Sequence, residues 1–203
     1  LEKDPKARWT TGSNDGATVT DSLEITVMKT QLESPTDAAA LDVWRFSAIM
    51  STAMTMSAAV AHLMELPGKL RYEPPLYVRL HRTLYPTFGK TAGPAEAFAV
   101  GATGVLAWIT YRRRGRSFGP TAVAASCLTA AHAVFWSVVQ PANVTMMRWP
   151  LDAIPEGWAR WRNRWEYGHA VRAGLVTTAL GALTWSVLRD RAYPMVRDGG
   201  AHA

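Results

Sequence analysis

The chain has a single cysteine, Cys127, among its 203 residues, so no disulfide can form within it. Cys127 lies in an apolar run, where a small thiol serves as packing. Two familiar catalytic signatures are missing as well: the sequence contains no G-x-x-x-x-G-K-[ST] and no C-x-x-C. A phosphate-cradling loop of that kind and a dithiol redox pair are thereby excluded. Most telling is the local lack of charge. Residues 46–64, 97–111, 117–147 and 173–188 contain no Asp, Glu, Lys or Arg.

The charges that remain are segregated. The net charge is +6, and the densest basic block, Arg112–Arg114 with Arg116, directly follows an apolar segment. That position suits a cytoplasmic membrane flank better than a nucleic-acid surface, so no nucleic-acid partner is expected. Residues 1–40 form a polar N-terminal arm without a periodic apolar face, expected to be disordered or added in expression. Met28 opens "MKTQLESPTD" as a plausible native start, and no secretory signal precedes it. Residues 193–203 read as a polar C-terminal tail.

Between arm and tail, residues 41–192, the pattern predicts an all-α, integral membrane four-helix bundle. A hydrocarbon core of roughly 30 Å needs about 20 helical residues. Spans are expected at about 46–66, 95–111, 118–139 and 167–188, with Gln140 and Pro141 ending the third. A soluble bundle needs polar faces, and "FGPTAVAASCLTAAHAVFWSVV" has none. Small residues recur every fourth position at Ser47, Ser51, Thr55 and Ala59, and again at Ala173, Thr177 and Gly181, which suits close helix contact in lipid. The positive-inside tendency puts the short basic turn, and with it both termini, on the cytoplasmic side of the cell membrane. The connection over 65–96 carries prolines 67, 74, 75, 86 and 94 and is not expected to form one long helix.

Alternation of the spans gathers most of the remaining polar groups at one end. His62 and Glu65 share a helical face, as do Glu166 and His169. His132 lies inside the third span, and Glu96 and Asn143 reach the same end. Glu and His three apart on facing helices is a way of building carboxylate-bridged metal sites. His62, Glu65, His132, Glu166 and His169 are therefore metal-ligand candidates, with a transition metal or haem as the cofactor. Glu166, His169, Asn143 and Arg172 are the catalytic candidates, the last two as orienting groups. The plainer alternative keeps these residues as structural ion pairs, with Glu65 facing Lys69 and His132 bonded to a neighbouring carbonyl. In "PEGWARWRNRWEYGHAVR", Trp158, Trp161 and Trp165 share one face, as expected of an interfacial helix turning into the fourth span, as an aromatic belt or a lid. His81 and Tyr85 are further site candidates, with surface or interface roles as the plainer expectation.

The stretches "ELPGKL…PLYVRLHRTLYPTFGKTAGPAE" and "VFWSVVQPANVTMMRWPLDAIPEGWARWRNRWEYGHAVRA" resemble small four-span membrane proteins grouped with anthrone oxygenases. The resemblance covers roughly residues 43–188. It implies the four-helix membrane fold and draws attention to Asn143, Trp165, Glu166 and His169, and it identifies no cofactor. The expected function is redox or oxygenase chemistry on an apolar small molecule or quinone entering from the lipid bilayer. A non-catalytic subunit or assembly factor with membrane-protein partners stands as the alternative, and a lipid- or quinone-binding module as a third.

Overall fold

The computed structural model describes residues 35–191. Two compact units divide the chain, residues 1–40 and 41–203. The readings made on residues 1–34 and 192–203 lie outside the described residues.

All the regular structure among the described residues is helical. Helix α1 runs over Pro35–Lys69 and α2 over Pro74–Arg112. Helix α3 covers Phe118–Met146, and α4 covers Trp158–Arg191. All four are long and apolar enough to cross a membrane. Residues 41–191 form a multi-pass, all-α membrane bundle.

Its surface and core confirm the solvent it was built for. Phe46, Met54, Trp108, Trp136 and Trp185 are more than half exposed, an arrangement natural against acyl chains and unfavourable against water. The main core is small-residue packing: Ala48, Ala99, Ala102, Ala124, Ala131 and Ala179 surround Leu106, Leu128, Val176 and Leu183. Small side chains let backbones approach, which matters where apolar burial supplies no driving force. Buried hydroxyls are satisfied by their own helices, as in Thr55 to Ser51 O (2.9 Å) and Thr121 to Ser117 O (2.8 Å). Ser51, Thr55 and Ala59 are buried as their spacing suggested. Of the second set only Ala173 is, because Thr177 and Gly181 face outward.

All four helices are longer than the sequence pattern implied. The proline-rich stretch before Glu96 is mostly helical: Pro74 and Pro75 occupy the first turn of α2, where a missing N–H costs nothing, and Pro86 and Pro94 are carried inside it. Helix α3 passes through Pro141 by opening a wide, π-type turn at Phe135–Val139. Pro141 has no N–H for the carbonyl four residues back, Ser137 O, and Arg164 of α4 donates its Nη2 there (2.8 Å) and its Nε to the neighbouring Val138 O (3.2 Å). The segment before the fourth span does not turn along an interface; α4 is continuous from Trp158. At the opposite end α2 closes at Arg113–Gly115, with Arg114 at φ 49°, and Arg45 pairs with Asp190 across α1 and α4.

Candidate functional site

The end of the bundle formed by the C-terminal turns of α1 and α3 and the N-terminal turns of α2 and α4 holds a second core, of a different kind. Tyr77, Val139, Met146, Trp149 and Trp165 are buried together there. Glycine is required where α4 meets the wide turn of α3: a Cβ on Gly168 would lie 2.8 Å from Val139 Cγ2 and 3.2 Å from Val138 Cγ1. That close approach sets the neighbouring side chains, Trp165, Glu166, His169 and Arg172, into the bundle.

His62 and His169 meet ring to ring, with centroids 4.4 Å apart. Trp165 lies against both, at 5.0 Å from His62 and 4.3 Å from His169. Tyr85 (5.1 Å) and Phe88 (5.5 Å) complete the cage around His62. Trp165 is fixed by donating its indole N–H to Asn143 Oδ1 at 2.6 Å, and Asn143 in turn donates to Gln140 (3.1 Å). Asn143 is thus a support for the aromatic wall.

Lys69 ties the charges together. Its ammonium lies 2.7 Å from Glu65, 3.9 Å from Glu166 Oε2 and 3.2 Å from His62 Nδ1. Tyr77 donates its hydroxyl to Glu166 Oε1 at 2.9 Å. Glu166 Oε2 is buried and accepts no hydrogen bond. On the far side of His169, Arg172 lies 3.1 Å from Nδ1 and also pairs with Glu96. His132 is 3.4 Å from Glu96 Oε1 through Nδ1, too poorly aligned for a hydrogen bond, and its Nε2 accepts the indole N–H of Trp136 at 2.9 Å.

The tautomers follow from the partners. Ammonium, guanidinium and indole groups donate and have no lone pair to offer. His62 and His169 must therefore accept at Nδ1 and carry their proton on Nε2, whereas His132 accepts at Nε2. Every one of these imidazole lone pairs is engaged by a donor. His62, Glu65, His132, Glu166 and His169 do not come together as one cluster: the Lys69 ammonium sits among His62, Glu65 and Glu166, and His132 stands apart beside Glu96. Among the described residues, no group of three or more His, Cys, Asp or Glu side chains is set to hold a metal ion.

The sequence-derived candidates fall into two linked groups. His62, Glu65, Glu166 and His169 gather around Lys69, while Glu96 and His132 form a second group reached through Arg172. His132 itself is more than one-third exposed, towards Trp136 at the lipid surface. Of the two roles open to His81 and Tyr85, the structure favours the site over the surface. His81 is 1% exposed and packs 5.2 Å from Trp165, and Tyr85 stands 4.8 Å from the same indole. Lys69, Tyr77 and Phe88 were missed as site residues. Their signal was present, since Tyr77, His81, Tyr85 and Phe88 recur at four, four and three residues, one face of a helix. The flanking prolines argued against that helix.

The cage is closed on its lipid side by one side chain. An open groove of ≈ 280 Å³ between α1 and α2 is lined by Met54, Ala58, Ala61, Phe88, Ala92 and Ala95 among others. Phe88 forms its inner wall and touches His62 from the other side. No protein-family model, no curated protein and no solved structure matches the chain. Fold and site define a class only: a multi-pass helical membrane protein with a buried, polar, aromatic-walled site at one end.

Proposed function

We propose that the chain is a redox or oxygenase-type membrane enzyme acting on an apolar substrate drawn from the bilayer into the His62/His169 cage. The carrying observation is Glu166, whose Oε2 is buried without a hydrogen-bond donor beside the Lys69 ammonium. A carboxylate oxygen with unspent lone pairs in a dry site is suited to accept a proton. The groove at Phe88 supplies the entrance, and its lining is mostly apolar, with Ser57 and Thr91 the polar members.

The resemblance to anthrone oxygenases points to a weakly acidic carbon as the reacting centre. In that chemistry Glu166 takes a proton from a ring CH₂ and dioxygen oxidises the resulting carbanion. One oxygen atom enters as the new carbonyl and the other leaves as water, so that the overall change is CH₂ plus O₂ to C=O plus H₂O. The test is oxygen uptake and quinone formation by protein in lipid nanodiscs supplied with a hydroxylated anthrone. Turnover lost in Glu166→Gln and in His169→Ala supports the reading; no turnover by the intact protein counts against it.

A second reading, a non-catalytic subunit or assembly factor, is favoured by a different surface. Arg160, Trp161 and Arg164 line an open cleft of ≈ 340 Å³, with both guanidinium groups within 6 Å of the Trp161 ring. Native-gel migration far above the monomer, abolished by Trp161→Ala, would favour it. We further place the protein in the cell membrane with both termini cytoplasmic, on the strength of Arg112–Arg114 and Arg116 in the short α2–α3 turn. Labelling of single cysteines introduced in that turn checks the orientation.

A further inference from the structure

Two arginines at the cage end of the bundle are committed to the protein itself: Arg82 donates to Met147 O and Trp149 O, and Arg162 to Leu70 O (3.0 Å). Arg160 and Arg164 differ. They stand one turn apart on α4, both exposed, and with Trp161 they line the open cleft of ≈ 340 Å³. Among the described residues, no carboxylate lies within ion-pair distance of either guanidinium. Arg164 is held by Ser137 O and Val138 O, which engage its Nη2 and Nε and leave Nη1 uncommitted.

Depth places the pair at the edge of the hydrocarbon. About 20 residues of helix cross the acyl region, so α3, counted from Phe118, reaches the far boundary near Ser137. Arg164 is bonded at that level. Trp136 and Tyr167, each more than half exposed, mark the same boundary as an aromatic belt does. From the cleft inward the outer face of α4 is one continuous stripe. Arg160, Arg164, Tyr167, Val171, Gly174 and Thr178 follow at alternating intervals of four and three residues, and all are exposed.

We propose that this stripe is a binding site for one anionic glycerophospholipid, its phosphate held by Arg160 and Arg164 and an acyl chain laid along Val171, Gly174 and Thr178. Guanidinium forks match phosphate oxygens two at a time. Arg164 is already fixed by its two carbonyls, so little ordering is required of it on binding. A zwitterionic lipid fits less well. Its choline cation would sit among guanidinium groups that already lie over the Trp161 ring, 5.7 and 5.8 Å from the centroid. The site is separate from the cage and stands whether or not the cage turns over an anthrone. It assigns to lipid the cleft that the subunit reading gives to a protein neighbour.

Native mass spectrometry of the full chain in mild detergent, titrated with phosphatidylglycerol or phosphatidylcholine of the same acyl chains, counts the retained lipid. One phosphatidylglycerol should bind, about tenfold tighter than phosphatidylcholine, since each basic group at an anionic headgroup contributes severalfold. Arg160→Ala should cut that preference about fivefold, and Arg160→Lys should recover only part of it. Arg79→Ala and Arg148→Ala remove the same charge from exposed positions outside the cleft and should leave the preference intact. Should Arg160→Ala fail to fold, Arg160→Gln serves instead.

A phosphatidylglycerol carrying a photoreactive diazirine in its acyl chain then tests the place of binding. It should label residues 167–178, and the label should be lost in Arg160→Ala. Equal affinity for the two lipids, an equal loss in Arg148→Ala, or label spread over all four helices would overturn the proposal and leave only the general attraction of a basic surface. Displacement of phosphatidylglycerol by millimolar glycerol phosphate would overturn it in favour of a soluble phosphate. A polypeptide cross-linked at Trp161 in protein taken from its own membrane would overturn it in favour of a protein neighbour.

Discussion

Arg172 bridges two groups that the fold brings from different helices: Glu96 of α2, with which it pairs, and His169 of its own helix, 3.1 Å away. All three side chains are at least nine-tenths buried. The guanidinium also lies over the Phe135 ring, 5.0 Å from its centroid, inside the wide turn of α3. A single residue thus couples the imidazole cage, the His132 branch and the turn.

Removing that cation should be costly. Arg172→Leu leaves the Glu96 carboxylate buried without its partner, a loss of about 3–5 kcal/mol in comparable pairs. Arg172→Leu combined with Glu96→Leu should recover most of it. Thermal unfolding in mild detergent, run as a double-mutant cycle, measures the recovery; equal loss in single and double variants would show that the pair is not the stabilising contact.

The helix contact at Gly168 gives a sharper, purely steric expectation. A methyl group there meets Val138 and Val139, whose β-branched side chains have little room to rotate away. Gly168→Ala should destabilise by about 1–3 kcal/mol, as overpacking does. Adding Val139→Ala should restore much of the loss, measured by the same melts.

Arg164 should matter more to stability than its exposure suggests. It donates to two carbonyls, Ser137 O and Val138 O, in the turn that admits Pro141. Arg164→Ala should cost about 1–3 kcal/mol for acceptors left unpaired near the membrane, whereas Arg160→Ala nearby should be close to neutral. Hydrogen exchange around 135–141 would rise selectively in the first variant.

Metal removal should change nothing. With the lone pairs of His62, His132 and His169 engaged by Lys69, Trp136 and Arg172, exhaustive chelation is expected to leave the melting temperature and any turnover unaltered. Elemental analysis showing a stoichiometric ion, lost in His169→Ala, would contradict the tautomers derived from the contacts.

Access through the groove can be separated from chemistry. Phe88 stands between the α1–α2 groove and the His62 ring. Phe88→Ala should speed association of 1-naphthol severalfold, and Ala61→Phe should slow it, with little change in the ¹⁵N shifts of His62. Stopped-flow quenching of Trp165 resolves the rates.

The sequence made the membrane architecture legible because charge-free runs of bilayer length have few other uses in a folded chain. It also made the one-sided gathering of His62, Glu96, Glu166 and His169 legible, since alternation of spans is simple geometry. What stayed hidden depended on prolines and on partners. Pro86, Pro94 and Pro141 read as breaks, yet a kinked or widened helix tolerates each once neighbouring groups take up the freed carbonyls. Tyr77 and Phe88 were obscured by that misreading of helix α2. The contacts of the imidazoles were hidden for another reason: spacing tells which residues share a face, but not that Lys69, two turns on from His62, and Arg172, one turn on from His169, reach back to the ring nitrogens.

The great length of α2 has its own consequence. Thirty-nine residues at ~1.5 Å each extend to nearly twice the thickness of the acyl region. The bundle therefore carries a helical turret standing clear of the lipid tails, with the imidazole cage near its base. An amphiphile with a greasy body and one polar oxygen settles by itself at such a boundary, oxygen outward. The membrane would then do part of the aligning, delivering any such guest sideways and already the right way up.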